Sequence, residues 1–243
     1  MDKRVALFIP CFVDQMQPQV GLDTVKVLRR LSFQVEYPED QTCCGQPAFN
    51  TGQWDSARPC AEHFVNVFKA FSQIVCPSGS CTSMVRTHYP ELLKQSVLHE
   101  EAVAVGSRTF ELSEFLVRVA GVSDVGAEFR HSVTYHPSCH ATRELGIYDE
   151  PISLLQKVKG LDLRLMPNAN ECCGFGGMFS TKFGMVSSAM AETKIANIEA
   201  TQAEYVTAVD PSCLMHLDGV LRFQKHTPKV IHLASILASE ASL

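Results

Sequence analysis

Two pairs of adjacent cysteines, each followed by glycine, are the residues of this chain best suited to metal or redox chemistry. They stand in the segments QTCCGQPAFN and NECCGFGGMF. One further cysteine precedes and one follows each pair, which gives two sets of four: Cys11, Cys43, Cys44 and Cys81, then Cys139, Cys172, Cys173 and Cys213. Thiolates are soft ligands, so four that converge favour a thiophilic metal, either zinc or an iron–sulfur cluster.

The two sets are spaced alike along the chain. The first cysteine lies 32 residues before the CCG segment in one half and 33 residues before it in the other. The surrounding segments also correspond: FIPCF matches HPSCH, YPEDQTCCG matches MPNANECCG, PSGSCTSM matches DPSCLMH, and FELSEFL matches IHLASIL. Such self-similarity indicates a duplicated module. We predict a first CCG module over residues 1–124 and a second over residues 125–243.

The spacing of the cysteines favours a polynuclear cluster over a single zinc ion. Zinc sites usually pair cysteines that are only about two to four residues apart, whereas most gaps here exceed thirty residues. Neighbouring side chains tend to point apart, so two adjacent thiolates suit a cluster in which each can bind a different iron. Gly45 and Gly174 would let the backbone turn sharply and present N–H groups to the sulfurs. Zinc stays the alternative occupant.

Short apolar strands alternate with amphipathic helices in both halves. Residues 5–9, residues 33–37 and the segment QIVCP indicate strands in the first half, and SVTYHP, LDLRLMP and EYVTAVDP indicate strands in the second. Apolar residues at helical spacing predict core-facing helices between them: Leu22, Val25, Leu28 and Leu31; Ala57, Cys60, Ala61, Phe64, Val67, Phe68 and Phe71; and Ala191, Ile195 and Ile198. This alternation predicts an α/β fold of two pseudo-twofold-related Rossmann-like modules, each a small, mainly parallel sheet with flanking helices.

The cysteines of both sets follow predicted strands, in the loops that lead to helices. In open α/β sheets this carboxyl edge is where ligands bind, so we predict one CCG cysteine site at that edge of each module. Cys60 lies on the apolar face of a phenylalanine-rich helix, and we expect it to pack there. His136 and His140 flank Cys139, and we expect surface or hydrogen-bonded side chains at both positions rather than ligands.

Composition narrows the possible partners and the compartment. The formal net charge is −5 and no run of Lys and Arg occurs, which argues against nucleic acid as a partner. No apolar stretch reaches the roughly 18 residues of a membrane helix, so we predict no transmembrane segment. The apolar run near the N-terminus is too short for the core of a signal peptide. We therefore expect a cytoplasmic protein, in which ten cysteines favour metal binding or redox chemistry over a disulfide framework.

The doubled pattern of one cysteine, a CCG segment and a later cysteine resembles the cysteine-rich CCG-domain family. The segments that carry the resemblance are CCGQPAFN, PSGSCT, SCHATR and CCGFGG, and it covers nearly the whole chain. The family includes the CCG-containing components of heterodisulfide reductase and of anaerobic glycerol-3-phosphate dehydrogenase, and the iron–sulfur component of glycolate oxidase. Within it, the chain is most similar to the members that serve lactate utilisation.

The resemblance implies an iron–sulfur component of a multi-subunit system that oxidises L-lactate to pyruvate. It implies that the eight cysteines named above bind one or two clusters of the 4Fe-4S type, through which electrons pass. The partners would be a ferredoxin-type iron–sulfur subunit and a third lactate utilization protein, with a small 2-hydroxy acid as the substrate of the complex. The chain would then be one component of an oxidoreductase rather than a complete enzyme, and we assign no catalytic residue.

Two positions depart from the family pattern. Full CCG motifs end in CxxC, but the last position here is Met84 in CTSM and His216 in CLMH. His216 could replace a thiolate by nitrogen ligation, and Cys76 could supply the sulfur that Met84 does not. Two other functions stay open. One is a thiol/disulfide reductase of the heterodisulfide reductase kind, and the other is a zinc-stabilised binding module with no redox role.

Overall fold

The computed structural model describes residues 3–240, which contain two four-stranded parallel sheets. The strands are β1 Arg4–Leu7, β2 Gln34–Glu36, β3 Ile74–Cys76 and β4 Thr109–Glu111, then β5 Ser132–Tyr135, β6 Asp162–Leu163, β7 Tyr205–Ala208 and β8 Lys229–His232. Their spatial order is β2-β1-β3-β4 in the first sheet and β6-β5-β7-β8 in the second. The two halves share one topology, so the predicted α/β fold of two similar parallel modules is confirmed.

Helices connect the strands and cover the sheets. They are α1 Cys11–Met16, α2 Pro18–Arg30, α3 Gln46–Asn50, α4 Trp54–Phe68, α5 Gly79–Ser83, α6 Tyr89–Leu92, α7 His99–Ser107, α8 Leu112–Glu114, α9 Asp149–Leu155, α10 Met178–Lys182, α11 Gly184–Glu199, α12 Pro211–Gln224 and α13 Leu233–Ala238. Three π-helical turns supplement them, at Met84–His88, Phe115–Val119 and His140–Glu144. Among the described residues, none of these helices has the length and apolar character needed to cross a bilayer.

The fourth strand of each sheet has no counterpart among the sequence predictions. β4 and β8 are short and mix polar with apolar residues, so neither gives the apolar run that marks the central strands. Both lie in or beside the segments FELSEFL and IHLASIL, which correspond between the two halves. The internal repeat therefore indicated that these two segments are equivalent, although their local hydrophobicity did not mark them as strands.

The predicted apolar stripe of the first long helix is wrong in part. In α2 the buried apolar side chains include Val20, Val27 and Leu28, whereas Leu22 is 64% exposed. The helix begins at Pro18, and its inward face is set by packing against the rest of the protein rather than by the count of leucines. The periodicity of apolar residues therefore predicted the helix correctly but assigned part of the wrong face to the core.

A continuous apolar core joins the two modules. It includes Val5 of β1 together with Val133 of β5, each at most 1% exposed. At one side α2 packs against α13, and the Arg30 guanidinium donates hydrogen bonds to the carbonyl oxygens of Leu237 and Ala238 at 2.8 and 2.9 Å. The modules are thus held together by both apolar packing and charge-assisted hydrogen bonds. The boundary between residues 124 and 125 stays a prediction.

Candidate metal centre

The carboxyl ends of the central strands bring the cysteines of each module together. In the first module, Cys11 begins α1 after β1, the CCG segment follows β2, and Cys81 lies in α5 after β3. The second module repeats this arrangement after β5, β6 and β7. We call the set Cys11, Cys43, Cys44 and Cys81 the first site, and the set Cys139, Cys172, Cys173 and Cys213 the second site.

The sulfurs of the first site form two close pairs. Cys11 Sγ lies 3.7 Å from Cys43 Sγ, and Cys44 Sγ lies 3.5 Å from Cys81 Sγ. Two thiolates on one tetrahedral metal atom lie about 3.8 Å apart, given metal–sulfur bonds of about 2.3 Å. Each pair is therefore close enough for both of its sulfurs to bind one metal centre. Because Cys43 and Cys44 are neighbours in sequence, the two pairs adjoin.

The second site repeats the same pairing. Cys173 Sγ lies within 4.8 Å of Cys213 Sγ, and Cys139 and Cys172 are close enough for each thiol to shift the pKa of the other. All ten cysteines of the chain are free thiols. The structure thus brings together the four cysteines of each predicted set, and their role as metal ligands stays a prediction.

One thiol in each site is strongly acidic because its neighbour donates a hydrogen bond to it. The hydrogen bond from Cys11 lowers the pKa of Cys43 to about 3, and that from Cys139 lowers the pKa of Cys172 to about 2. The same hydrogen bonds, together with burial, raise the pKa of Cys11 and of Cys139. Each site therefore holds a ready thiolate beside protonated thiols whose protons a bound metal would displace.

The glycine of each CCG segment supports the acidic thiolate. Gly45 has φ of +80° and Gly174 has φ of +90°, a left-handed conformation that glycine adopts without steric cost. This conformation turns each glycine N–H back to the first cysteine of its pair, at 3.4 Å from the sulfur of Cys43 and at 3.4 Å from that of Cys172. Such N–H groups stabilise a thiolate and would tune a metal centre that it binds.

The two sites open onto one cavity at the junction of the modules. This cavity of about 80 Å³ is lined by six of the eight cysteines, from both modules, and by polar side chains that include Gln46, His140 and Asp210. The rings of Phe12 and Phe175 meet edge to face beside it, with centroids 5.7 Å apart. The centres of the two modules would therefore face each other.

Asp210 links the two modules by hydrogen bonds at this junction. Its buried carboxylate accepts a hydrogen bond from the Ser80 amide of the other module at 2.7 Å, and one from the Ser212 amide at 3.1 Å. Burial alone would raise the pKa of Asp210, but the hydrogen bonds from Ser212 and Ser80 outweigh burial and hold it below its usual value. The ionised carboxylate is thus the form that the fold stabilises.

Asp210→Asn should destabilise the protein by about 1–3 kcal/mol at pH 7, since an amide cannot replace a carboxylate that accepts several hydrogen bonds. The folded pKa of Asp210 is depressed, so this stability is present above the unfolded value near 4 and is lost as the pH falls through the folded value. Urea unfolding at pH 7 and pH 3 checks both points, with the exposed Asp149→Asn as control. An equal effect of the two variants at pH 7 would contradict this role.

Three further residues that the sequence raised in connection with the ligand sets contact groups other than the eight site cysteines. Cys76 is fully buried, and its thiol donates to the Ser78 carbonyl oxygen at 3.7 Å. His216 Nε2 lies 3.2 Å from Ser187 Oγ, and its ring packs against that of Phe175, with centroids 5.9 Å apart. Met84 is buried in the apolar cluster of the first module. Ligand roles for Cys76 and His216 stay predictions.

His136 is placed differently from our expectation of a surface or hydrogen-bonded histidine. His136 is 1% exposed, and neither ring nitrogen has a hydrogen-bond partner within residues 3–240. A ring nitrogen, Cys173 Sγ and Cys213 Sγ all lie within 4.8 Å of one another. Burial lowers the pKa of His136 to about 3, so the imidazole is neutral. The match of FIPCF with HPSCH contained the signal, because it aligns His136 with Phe8.

One protein-family model matches both halves of the chain. The family model "CCG: Cysteine-rich domain" matches residues 5–86 and 133–218. These ranges contain all eight cysteines of the two sites.

Curated relatives are similar over almost the entire chain. Lactate utilization protein A 2 of Bacillus cereus (strain AH820) is 42% identical over 236 residues, which cover 97% of this chain and 98% of that protein. Lactate utilization protein A of Bacillus pumilus (strain SAFR-032) is 44% identical over 237 residues, which cover 97% and 99%. The predicted resemblance to this branch of the CCG-domain proteins is confirmed.

Among solved structures, a hypothetical protein from Helicobacter pylori is similar with a TM-score of 0.64. The two are 12% identical, and the match covers 98% of this chain and 48% of that protein, so this chain spans about half its length. The similarity supports the fold alone.

Proposed function

The chain belongs to the family of cysteine-rich CCG-domain proteins, with the Lactate utilization protein A proteins among its relatives, and we propose that it is an iron–sulfur redox component of a system that oxidises L-lactate to pyruvate. The observation that carries this proposal is the pairing of sulfurs in both sites, 3.5–3.7 Å apart in the first. Lactate, as the substrate of the system, is taken from the names of these relatives.

The residues of both sites fit a centre bound by thiolates. The first site would hold it through Cys11, Cys43, Cys44 and Cys81, and the second through Cys139, Cys172, Cys173 and Cys213. An iron–sulfur cluster of the 4Fe-4S type, in one site or in both, would supply one-electron transfer at these positions. The protein itself contributes the thiolates, the Gly45 and Gly174 amides that point at them, and a largely buried environment.

The oxidation of lactate is proposed to occur in a complex with other subunits. L-lactate gives up two electrons and two protons when it becomes pyruvate, and the sequence carries no flavin or nicotinamide fingerprint to accept them. A ferredoxin-type iron–sulfur subunit and a third lactate utilization protein are the proposed partners, in the cytoplasm, where thiols are kept reduced. Exposed apolar side chains of Phe183, Met185 and Val186 follow the second CCG segment, which supports a partner contact there.

A zinc-stabilised binding module is the second candidate. A tetrahedral zinc ion with thiolate ligands has the same sulfur spacing as the pairs of the first site. A disulfide reductase of the heterodisulfide reductase kind differs in its chemistry, because the isolated chain, supplied with electrons by a chemical reductant, would then pass two electrons to a disulfide without partner subunits. Metal analysis separates the zinc module from an iron–sulfur protein, and a disulfide reduction assay of the isolated chain tests the reductase.

Growth on lactate tests the proposed function. In a lactate-utilising bacterium that lacks its own Lactate utilization protein A, we expect this chain to restore growth on L-lactate. The double variant Cys43→Ser, Cys172→Ser should abolish that growth and leave growth on glucose unchanged, because each site loses its most acidic thiolate. Cys60→Ser is the matched control, since Cys60 lies on α4 outside both sites. Normal growth of the double variant on lactate would contradict the proposal.

A further inference from the structure

We propose that His136 is a nitrogen ligand of the centre in the second site, so that the two modules bind chemically different centres. This inference rests on the proposed function in one respect, namely that the second site binds a metal. It assigns a ligand that the eight-cysteine pattern does not contain, and it gives the two halves of the duplicated chain unequal roles.

The position of His136 points to a ligand role. The residue directly follows β5, and its amide donates to the Thr207 carbonyl oxygen at 2.8 Å, which fixes the backbone against the next strand. Its ring is 1% exposed, and one ring nitrogen lies with the sulfurs of Cys173 and Cys213 in a group no wider than 4.8 Å. Imidazole and thiolate are a common mixed ligand set for both zinc and iron.

The unsatisfied ring nitrogens need an explanation. A buried polar group without a partner costs about 1–3 kcal/mol, and His136 has two such atoms. Native proteins retain few groups of this kind, and those that persist commonly serve redox chemistry, catalysis or an ion. Coordination of a metal beside Cys173 and Cys213 would satisfy one nitrogen with the ligands already in place.

The first module shows that the fold does not require a histidine here. Phe8 occupies the equivalent position after β1, and its amide donates to the Val75 carbonyl oxygen at 2.9 Å. Its ring is fully buried and packs edge to face on Phe64 and Phe68, with centroids 4.8 and 5.8 Å away. The same backbone position thus accepts an apolar ring, and His136 replaces it only in the second module.

A second substitution accompanies the first. The buried residues of α4 and α11 correspond one to one, in the order Ala57, Ala61, Phe64, Val65, Phe68 and Ser187, Ala191, Lys194, Ile195, Ile198. Phe64, the packing partner of Phe8, is therefore replaced by Lys194. Lys194 is fully buried, and its ammonium donates to the Ala169 carbonyl oxygen at 2.9 Å. The aromatic pair of the first module becomes an imidazole and an ammonium group in the second.

Both replacements change the second site in the same electrostatic direction. An imidazole ligand brings no negative charge to a centre, unlike a thiolate, and iron–sulfur centres with histidine ligands have higher potentials than those with thiolate ligands alone. The buried cation of Lys194 adds to this effect. We therefore expect the centre in the second site to have the higher reduction potential and to accept electrons from the first.

Nitrogen hyperfine spectroscopy on the reduced, anaerobically purified protein tests this inference. Wild type labelled with ¹⁵N-histidine should show coupling from a directly bound imidazole nitrogen, a result that needs no variant. His136→Phe, which copies Phe8 of the first module, should lose this coupling and lower the potential of one centre. His131→Phe is the control and should keep the coupling, because His131 lies at the opposite, amino end of β5 beside Glu204.

The outcomes separate the two proposals. Wild type with iron and sulfide but without histidine coupling, or coupling that survives in His136→Phe, overturns the inference and leaves the proposed function intact. Wild type without iron and sulfide overturns the proposed function. If the protein then holds zinc, X-ray absorption at the zinc edge decides on His136, because a nitrogen shell that His136→Phe removes supports it and an all-sulfur shell in wild type overturns it.

Discussion

Cys43→Ser should lose the iron and acid-labile sulfide bound at the first site, and Cys172→Ser those bound at the second, which is about half of the total in each variant when both sites are filled. Hydrogen bonds hold the pKa of Cys43 at about 3 and that of Cys172 at about 2, so these are the thiolates present before any metal binds. A serine hydroxyl is a harder ligand that stays protonated at neutral pH. The double variant should be nearly free of iron.

Metal and sulfide analysis after anaerobic purification measures this effect. Cys60→Ser provides the control, because Cys60 is half-buried on α4 and its thiol lies 3.9 Å from the Ser56 carbonyl oxygen. This control should keep the full amounts of iron and sulfide. Unchanged metal content in both site variants would mean that the paired sulfurs are not ligands.

Gly174→Ala should destabilise the protein by about 2–4 kcal/mol and empty the second site of metal. Gly174 has φ of +90°, and a methyl group there would lie 2.5 Å from the Ser187 carbonyl oxygen and 2.9 Å from Met190 Cβ. Both atoms belong to α11, whose buried face packs under the CCG segment, so the loop must shift. Such a shift would move both cysteines of the segment.

Two other glycines provide a graded series for this prediction. Gly45→Ala should cost less, because its nearest contacts, Cys60 Cβ and the Ala57 carbonyl oxygen, are 3.1 and 3.2 Å away. At Gly52, φ is +78° and no atom of the described residues beyond its chain neighbours lies within 4 Å, so Gly52→Ala should cost only the roughly 1–2 kcal/mol of placing a side chain in this left-handed conformation. Urea unfolding of the three variants measures the order. Equal losses of stability would show that close packing of the CCG loops is not what constrains them.

The convergence of the cysteines could be predicted from sequence because two simple rules combine. Strands and helices alternate, which makes the sheets parallel, and parallel strands present their carboxyl ends at one edge. Each of the eight site cysteines follows a strand, so residues as distant as Cys11 and Cys81 must meet there. The internal repeat then applies the same inference twice.

Other features depend on packing that one sequence does not display. The buried face of α2 is set by its neighbours, which is why Leu22 is exposed although it fits a helical stripe. β4 is recognised by its hydrogen bonds to β3 rather than by its composition. His136 was missed because a histidine beside a cysteine is usually exposed, and only its contrast with Phe8 in the aligned repeat distinguishes it.

Iron and acid-labile sulfide per chain in the anaerobically purified wild-type protein test the central claim most directly. We predict a brown protein that contains both in comparable amounts, because paired thiolates in each module bind iron–sulfur centres. A colourless protein with stoichiometric zinc and no sulfide would contradict that claim.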